Sequence, residues 1–180
     1  MKKFILGLIV GIALVPGLVY LYLRSGRAPA AASDLPMPFE RTIARMALHV
    51  RIDKEMPTVV PLPADETTFL AGVRVYRDNC AMCHGLPGQP APAAAVGMFP
   101  QAPQLFQPHH MVDDDPPGET YWKAKNGIRL SGMPGFARSL SDQQLWQVSL
   151  LLANADKLPA TVHEALTASP ASVSPANPPK

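Results

Sequence analysis

Cys80, Cys83 and His84 stand in the order Cys-Ala-Met-Cys-His, a spacing suited to covalent attachment of a c-type haem. Two thiols separated by two residues can add across the two vinyl groups of one porphyrin edge. The imidazole that follows then lies beneath the ring, where it can bind the iron. Other uses of the pair fit less well. A structural zinc site takes four ligands, and these are the only two cysteines in the chain. A thioredoxin-like redox pair needs a βαβ pattern nearby, and none is visible. A disulfide across two intervening residues would close too small a loop to hold much together. One haem c is therefore expected, attached through Cys80 and Cys83, with His84 as the first iron ligand.

The iron has one more axial position, and Met133 is the expected occupant. It lies in Ser131-Gly132-Met133-Pro134-Gly135-Phe136, between two helical stretches. A helix fixes the directions of its side chains, whereas a loop methionine between Gly and Pro can be aimed across the ring. A thioether favours ferrous iron and raises the reduction potential. Met82 lies inside the attachment motif and cannot reach the opposite face. Met98 and Met111, in a long loop, stay as competitors. So does the pair His109-His110, which would give bis-histidine ligation or another metal site.

Three helices must position these groups. From Asp65 or Glu66 the residues Phe69, Gly72, Val73 and Tyr76 form an apolar stripe that runs straight into Cys80, so the thiols stand at a helix end. Gly72 on that stripe would let a second helix approach closely. Residues 113–127 read as the next helix, with acidic residues and proline at its start and Asn126-Gly127 at its end. The run Asp113–Asp115 is read as capping or solvated loop rather than as a metal site. Residues 141–153 form the last helix. Ser141 and Gln144 make a capping box, Leu140 and Leu145 fit a hydrophobic staple, and Leu145, Val148 and Leu152 form a stripe widened by Trp146, Leu150 and Ala153. So wide a face suggests contact with both haem and another helix. Residues 85–108 show no periodicity and read as a loop for which a haem can be the packing partner.

Residues 4–23 carry no charge and are long enough to span a bilayer as a helix. A cleaved signal peptide is the competing reading, but its apolar region would be shorter. The flanking charges, Lys2 and Lys3 against Arg24 and Arg27, barely set an orientation. Bacterial c-type haem is attached outside the cytoplasmic membrane, which places everything after Arg24 in the periplasm. Gly7-x-x-x-Gly11 reads as ordinary membrane glycine. Residues 28–38 are a linker, and residues 39–55 a basic amphipathic helix with Phe39, Ile43, Met46, Ala47 and Val50 on one face. That helix is expected either in the lipid headgroup layer or docked on the haem domain or a partner. His49 beside the stripe reads as a surface residue. The net charge is only +2 and gives no hint of nucleic acid. Of the 21 prolines, 13 cluster at 87–117 and 158–179, which argues against regular elements there.

Residues 65–155 resemble class I c-type cytochromes, and most closely the small mono-haem domains grouped with subunit III of the cbb3-type oxidases. The matching features are Gly72 and Tyr76 ahead of Cys80-x-x-Cys83-His84-Gly85, then Gly127-Ile128, then Gly132-Met133-Pro134-x-Phe136, then Trp146 in the last helix. The resemblance implies an all-α class I cytochrome c fold around one covalently bound haem, here preceded by one transmembrane helix and an amphipathic helix. It implies that the first and last helices cross near Gly72 and Trp146, and that His84 and Met133 are the axial ligands. It also implies that a loop proline carbonyl orients His84. Pro103 is the candidate, with Pro100 close by. The expected organisation is an anchor at 1–25, a linker with the amphipathic helix at 26–63, a cytochrome domain at 64–156 and a disordered Ala/Pro/Ser-rich tail at 157–180. The expected function is single-electron transfer at the bacterial cytoplasmic membrane, with redox proteins or a respiratory complex as partners and no small-molecule substrate. The rival expectations are a haem enzyme with a displaceable sixth ligand and a structural haem subunit of a larger complex.

Overall fold

The computed structural model describes residues 2–107 and 115–168, and every regular element among them is a helix. The chain divides into two compact units, Met1–Arg41 and Thr42–Lys180. In the first, α1 (Lys2–Arg24) contains Pro16 and is long and apolar enough, by length and composition, to cross a membrane. After it, the Asp34 carboxylate accepts hydrogen bonds from the amides of Ala30 and Ala31, each 2.8 Å. Those two bonds stabilise the anion and lower the Asp34 pKa.

The remaining elements are α2 (Glu40–Glu55), α3 (Glu66–Asn79), α4 (Ala81–His84), α5 (Ala93–Val96), α6 (Pro117–Asn126), α7 (Asp142–Ala153) and α8 (Ala160–Thr167). Asp65 caps α3 by accepting from the Thr68 amide at 2.8 Å. The expected stripe Phe69, Gly72, Val73 and Tyr76 is buried. α7 begins with the full Ser141/Gln144 capping box and buries every residue from Leu145 to Leu152 except Gln147. Its wide apolar face is used against two helices, α3 and α6. On the α6 side Trp146 stacks on Tyr121 with ring centroids 4.3 Å apart.

α3 and α7 cross where Gly72 meets Gln147. A Cβ on Gly72 would collide with the Gln147 carbonyl oxygen and stand 3.1 Å from the Leu151 Cβ. Glycine inside a helix costs about 1 kcal/mol relative to alanine, so the contact has to outweigh that cost. Gly72→Ala is expected to destabilise the domain, because the obstacle is backbone that cannot rotate away. Overpacking of about 1–3 kcal/mol exceeds the propensity gain. A net loss of about 1 kcal/mol lowers Tm by roughly 4–8 °C in a domain of this size, which a thermal melt followed at 222 nm would read.

Four features differ from the sequence expectations, the first being that Ala93–Val96, inside the stretch read as a loop, form the short helix α5. Residues 160–167, expected to be disordered, form α8. Val162 and Leu166, one turn apart, are fully buried against the cluster that includes α3. The Arg77 guanidinium donates to the terminal carbonyls of Ala165 and Leu166 at 3.1 and 3.0 Å, and Thr161 hydrogen bonds to Glu66. Residues 169–180 of the expected tail lie outside the described residues. α6 begins at Pro117 rather than 113, with proline in its first turn, and Asp115 pairs with Lys123 at 3.0 Å instead of joining the helix. In α2 the buried residue is Ile52, which is not on the expected stripe. Its C-terminal end is tied to α6 by the Trp122 indole N–H donating to Glu55 at 3.1 Å and by the Pro57 carbonyl lying against Gly118.

Candidate functional site

α3 ends at Cys80, which caps it and also starts α4. The motif is therefore a single helical turn. The Cys80 carbonyl accepts from the amides of Cys83 and His84 at 3.0 and 2.9 Å, and Gly85 N–H donates to Ala81 at 2.9 Å. Both thiols are free and half-buried. The turn stops at Gly85, whose φ of +71° suits glycine. The Gly85 carbonyl accepts from the buried Tyr76 hydroxyl at 2.7 Å, so α3 clamps the far end of the motif that grows from its own end. The Tyr76 ring meets Phe106 edge-on at 5.1 Å. Burial, and then the neighbouring Cys80, push the Tyr76 hydroxyl pKa up, which keeps it a donor.

His84 Nδ1 lies 2.8 Å from the Pro103 carbonyl oxygen. A carbonyl can only accept, so Nδ1 carries a proton, and in the neutral ring Nε2 then keeps a lone pair for a metal. This is the loop proline the family resemblance implied. Burial lowers the His84 pKa, and the Pro103 bond opposes it. The net effect favours the neutral ring, the form a metal ligand takes. Gln104, not singled out from the sequence, joins the loop to the motif: its amide donates to the carbonyls of Cys83 and Ala102, both at 3.2 Å, and it fills the space a Gly85 Cβ would take. Its place next to Pro103 was the only available sequence signal. Burial, and secondarily Cys83, push the Cys80 thiol up to about 12, which favours the thiol over the thiolate.

Met133 stands in a loop fastened to the end of α6. Gly127, at φ +70°, reverses the chain, and a Cβ there would collide with Met133, Pro134 and Gly135 at 2.5–2.8 Å. Ile128 N–H donates to the Met133 carbonyl at 3.2 Å, and Phe136 and Ala137 donate to Ala124 and Lys125 at 2.9 and 3.1 Å. Ser131 accepts from the Met133 amide at 3.2 Å and donates to Ile128 at 2.7 Å. The competitor Met98 is close: a Cβ on Gly132 would lie 3.0 Å from its sulfur. Both thioethers thus border one loop. Met82 is exposed. His109, His110 and Met111 lie outside the described residues.

The donor set fits a haem. It has two adjacent unpaired thiols on one turn, an imidazole whose Nδ1 is held by the Pro103 carbonyl, and the Met133 thioether on a hydrogen-bonded loop with Met98 beside it. Among the described residues no group of three His, Cys, Asp or Glu side chains could hold a metal ion by itself.

Fold and site together define a c-type cytochrome domain. Residues 67–150 match the family described as cytochrome C oxidase, cbb3-type, subunit III, a family that implies haem. Among solved structures, the chain is similar to one from the Kuenenia stuttgartiensis reducing HAO-like protein complex, at 25% identity and a TM-score of 0.46, over 55% of this chain and 50% of that one. The likeness thus spans half the length of that neighbour. No curated protein matches.

Proposed function

We propose that this chain is a membrane-anchored, periplasmic electron carrier of bacterial respiratory or dehydrogenase systems. Cys80 and Cys83 would hold one haem through thioethers, and His84 Nε2 and Met133 Sδ would be its iron ligands. The observation that carries the reading is the His84–Pro103 hydrogen bond, which orients the imidazole and leaves Nε2 of the neutral ring available to a metal. When bound, the haem supplies a one-electron Fe3+/Fe2+ couple. The protein's part is to hold the ligands still. Tyr76 and Gln104 fix the motif turn from two sides, and Pro103 fixes the tilt of the imidazole. The α6 end fixes the Met133 backbone through the bonds of Ile128 and Phe136. A site held this way has little to rearrange on a change of charge, and with His84 and Met133 as its two iron ligands it would offer no place for a substrate.

The test is an optical spectrum of the reduced protein before and after carbon monoxide. A c-type spectrum that carbon monoxide leaves unchanged is expected. A rapid shift would mean an open or labile position and would put a haem enzyme ahead of a carrier. Fixed co-purification with a membrane complex would narrow the carrier to a subunit of that complex.

A further inference from the structure

α2 has two apolar faces, and only one is used. At 100° per residue, Ile43, Met46, Ala47 and Val50 share one side, and Leu48 and Ile52 share the other. Ile52 is 1% exposed and Leu48 half-buried, whereas Ile43, Met46 and Val50 are 65%, 62% and 50% exposed. The helix cannot roll to bury the second face, because Ile52 and the Glu55–Trp122 bond hold the first. Along the chain the exposed apolar series begins earlier, at Leu35, Met37 and Phe39. Such a concentration of large apolar side chains is a mark of a covered surface.

We infer that the Ile43, Met46 and Val50 face of α2 lies in the headgroup–acyl boundary of the membrane that α1 enters. This rests on the anchor reading proposed above. Three observations favour lipid as the occupant. Fifteen residues, 25–39, separate α1 from α2, so the helix stays within roughly 50 Å of the span even if they were fully extended. Asp34 and Glu40 gather stretches of that link into local turns through the amides of Ala30, Ala31 and Met37, which shortens its reach. Lys54 continues the apolar stripe at its far end and Arg51 flanks it, paired with Glu55. Both have long apolar stems that can lie along the acyl layer while the charge reaches the phosphates. The consequence is a haem domain held at the bilayer surface rather than swinging on a free tether.

The full-length haem-bound protein, reconstituted in phosphatidylethanolamine/phosphatidylglycerol vesicles, tests this. Nitroxide labels are placed one at a time at Val10→Cys, Met46→Cys, His49→Cys and Val50→Cys, all exposed positions, and collisions with oxygen and with a water-soluble nickel chelate are compared. The expected result is a loss of nickel collisions and a gain of oxygen collisions at Met46 and Val50, with His49 still meeting the chelate. If Val10 reports lipid while Val50 behaves as His49 does, the inference falls and the anchor stands. If Val10 itself meets the chelate, the anchor reading falls and takes the inference with it. If Val50 is shielded only in native membranes and not in these vesicles, the occupant is a protein and the lipid assignment is wrong.

Discussion

Replacing Cys80 and Cys83 together with alanine is expected to abolish haem that survives denaturation, leaving no haem-stained band on a denaturing gel. A haem-stained band surviving in the double variant would refute attachment through this motif. The expectation comes from geometry as well as spacing. The two sulfurs stand on one turn between the end of α3 and Gly85, and the turn is held from outside by Tyr76 and Gln104. Nothing in that arrangement depends on the sulfurs, so alanine should leave the turn intact and remove only the bonds to the porphyrin. Any haem that stays would rest on reversible ligation by His84 and a methionine. It would then stabilise the fold only in proportion to its free concentration over its dissociation constant. The double variant is therefore also expected to melt lower than the parent protein, and its melting temperature to rise with added haem. Each single variant should keep one covalent bond and a haem-stained band, which separates loss of attachment from loss of folding.

The parts of this domain that could be read from the sequence are those whose signals are local. Phe69, Gly72, Val73 and Tyr76 recur at helical intervals and are buried as that period requires. The Ser141/Gln144 box depends on two side chains three residues apart, and both of its hydrogen bonds are present. The Pro103 carbonyl could be nominated only through family resemblance, since no local pattern links it to a histidine 19 residues away. What escaped reading depends on distant partners. α8 has eight residues, of which Val162 and Leu166 alone are buried. So short a helix is marginal by itself and takes its stability from α3 and from Arg77, which lies 88 residues earlier than its acceptor Ala165. In α2 the apolar stripe was legible, but a stripe does not say what covers it. The buried residue, Ile52, belongs to the opposite face because α6 and the segment after α2 meet there through Trp122, Glu55 and Pro57. Gln104 was invisible for the same reason: its role consists of contacts with Cys83 and Gly85, about twenty residues away.

Met133→Ala is expected to leave the haem covalently attached, lower the reduction potential and open the iron to carbon monoxide. A thioether binds ferrous iron better than ferric, so its loss weakens the reduced state more. At about 59 mV per tenfold change in that preference, a hundredfold loss is a drop of about 120 mV, readily measured by a redox titration. The loop itself should survive the substitution. Its hold on α6 runs through the backbone of Ile128, Met133, Phe136 and Ala137 and through the glycines at 127 and 135, none of which needs the methionine side chain. The proximity of Met98 sharpens the test, because its sulfur rests against Gly132 and the chain carries a second thioether beside the same loop. Met98→Ala is expected to keep the parental potential and stay closed to carbon monoxide. If the two variants exchange behaviours, the axial ligand is Met98 and the role of the 127–137 loop is to press on it. If neither variant changes the potential, neither sulfur binds the iron, and ligation by a residue between 108 and 114 becomes the reading to pursue.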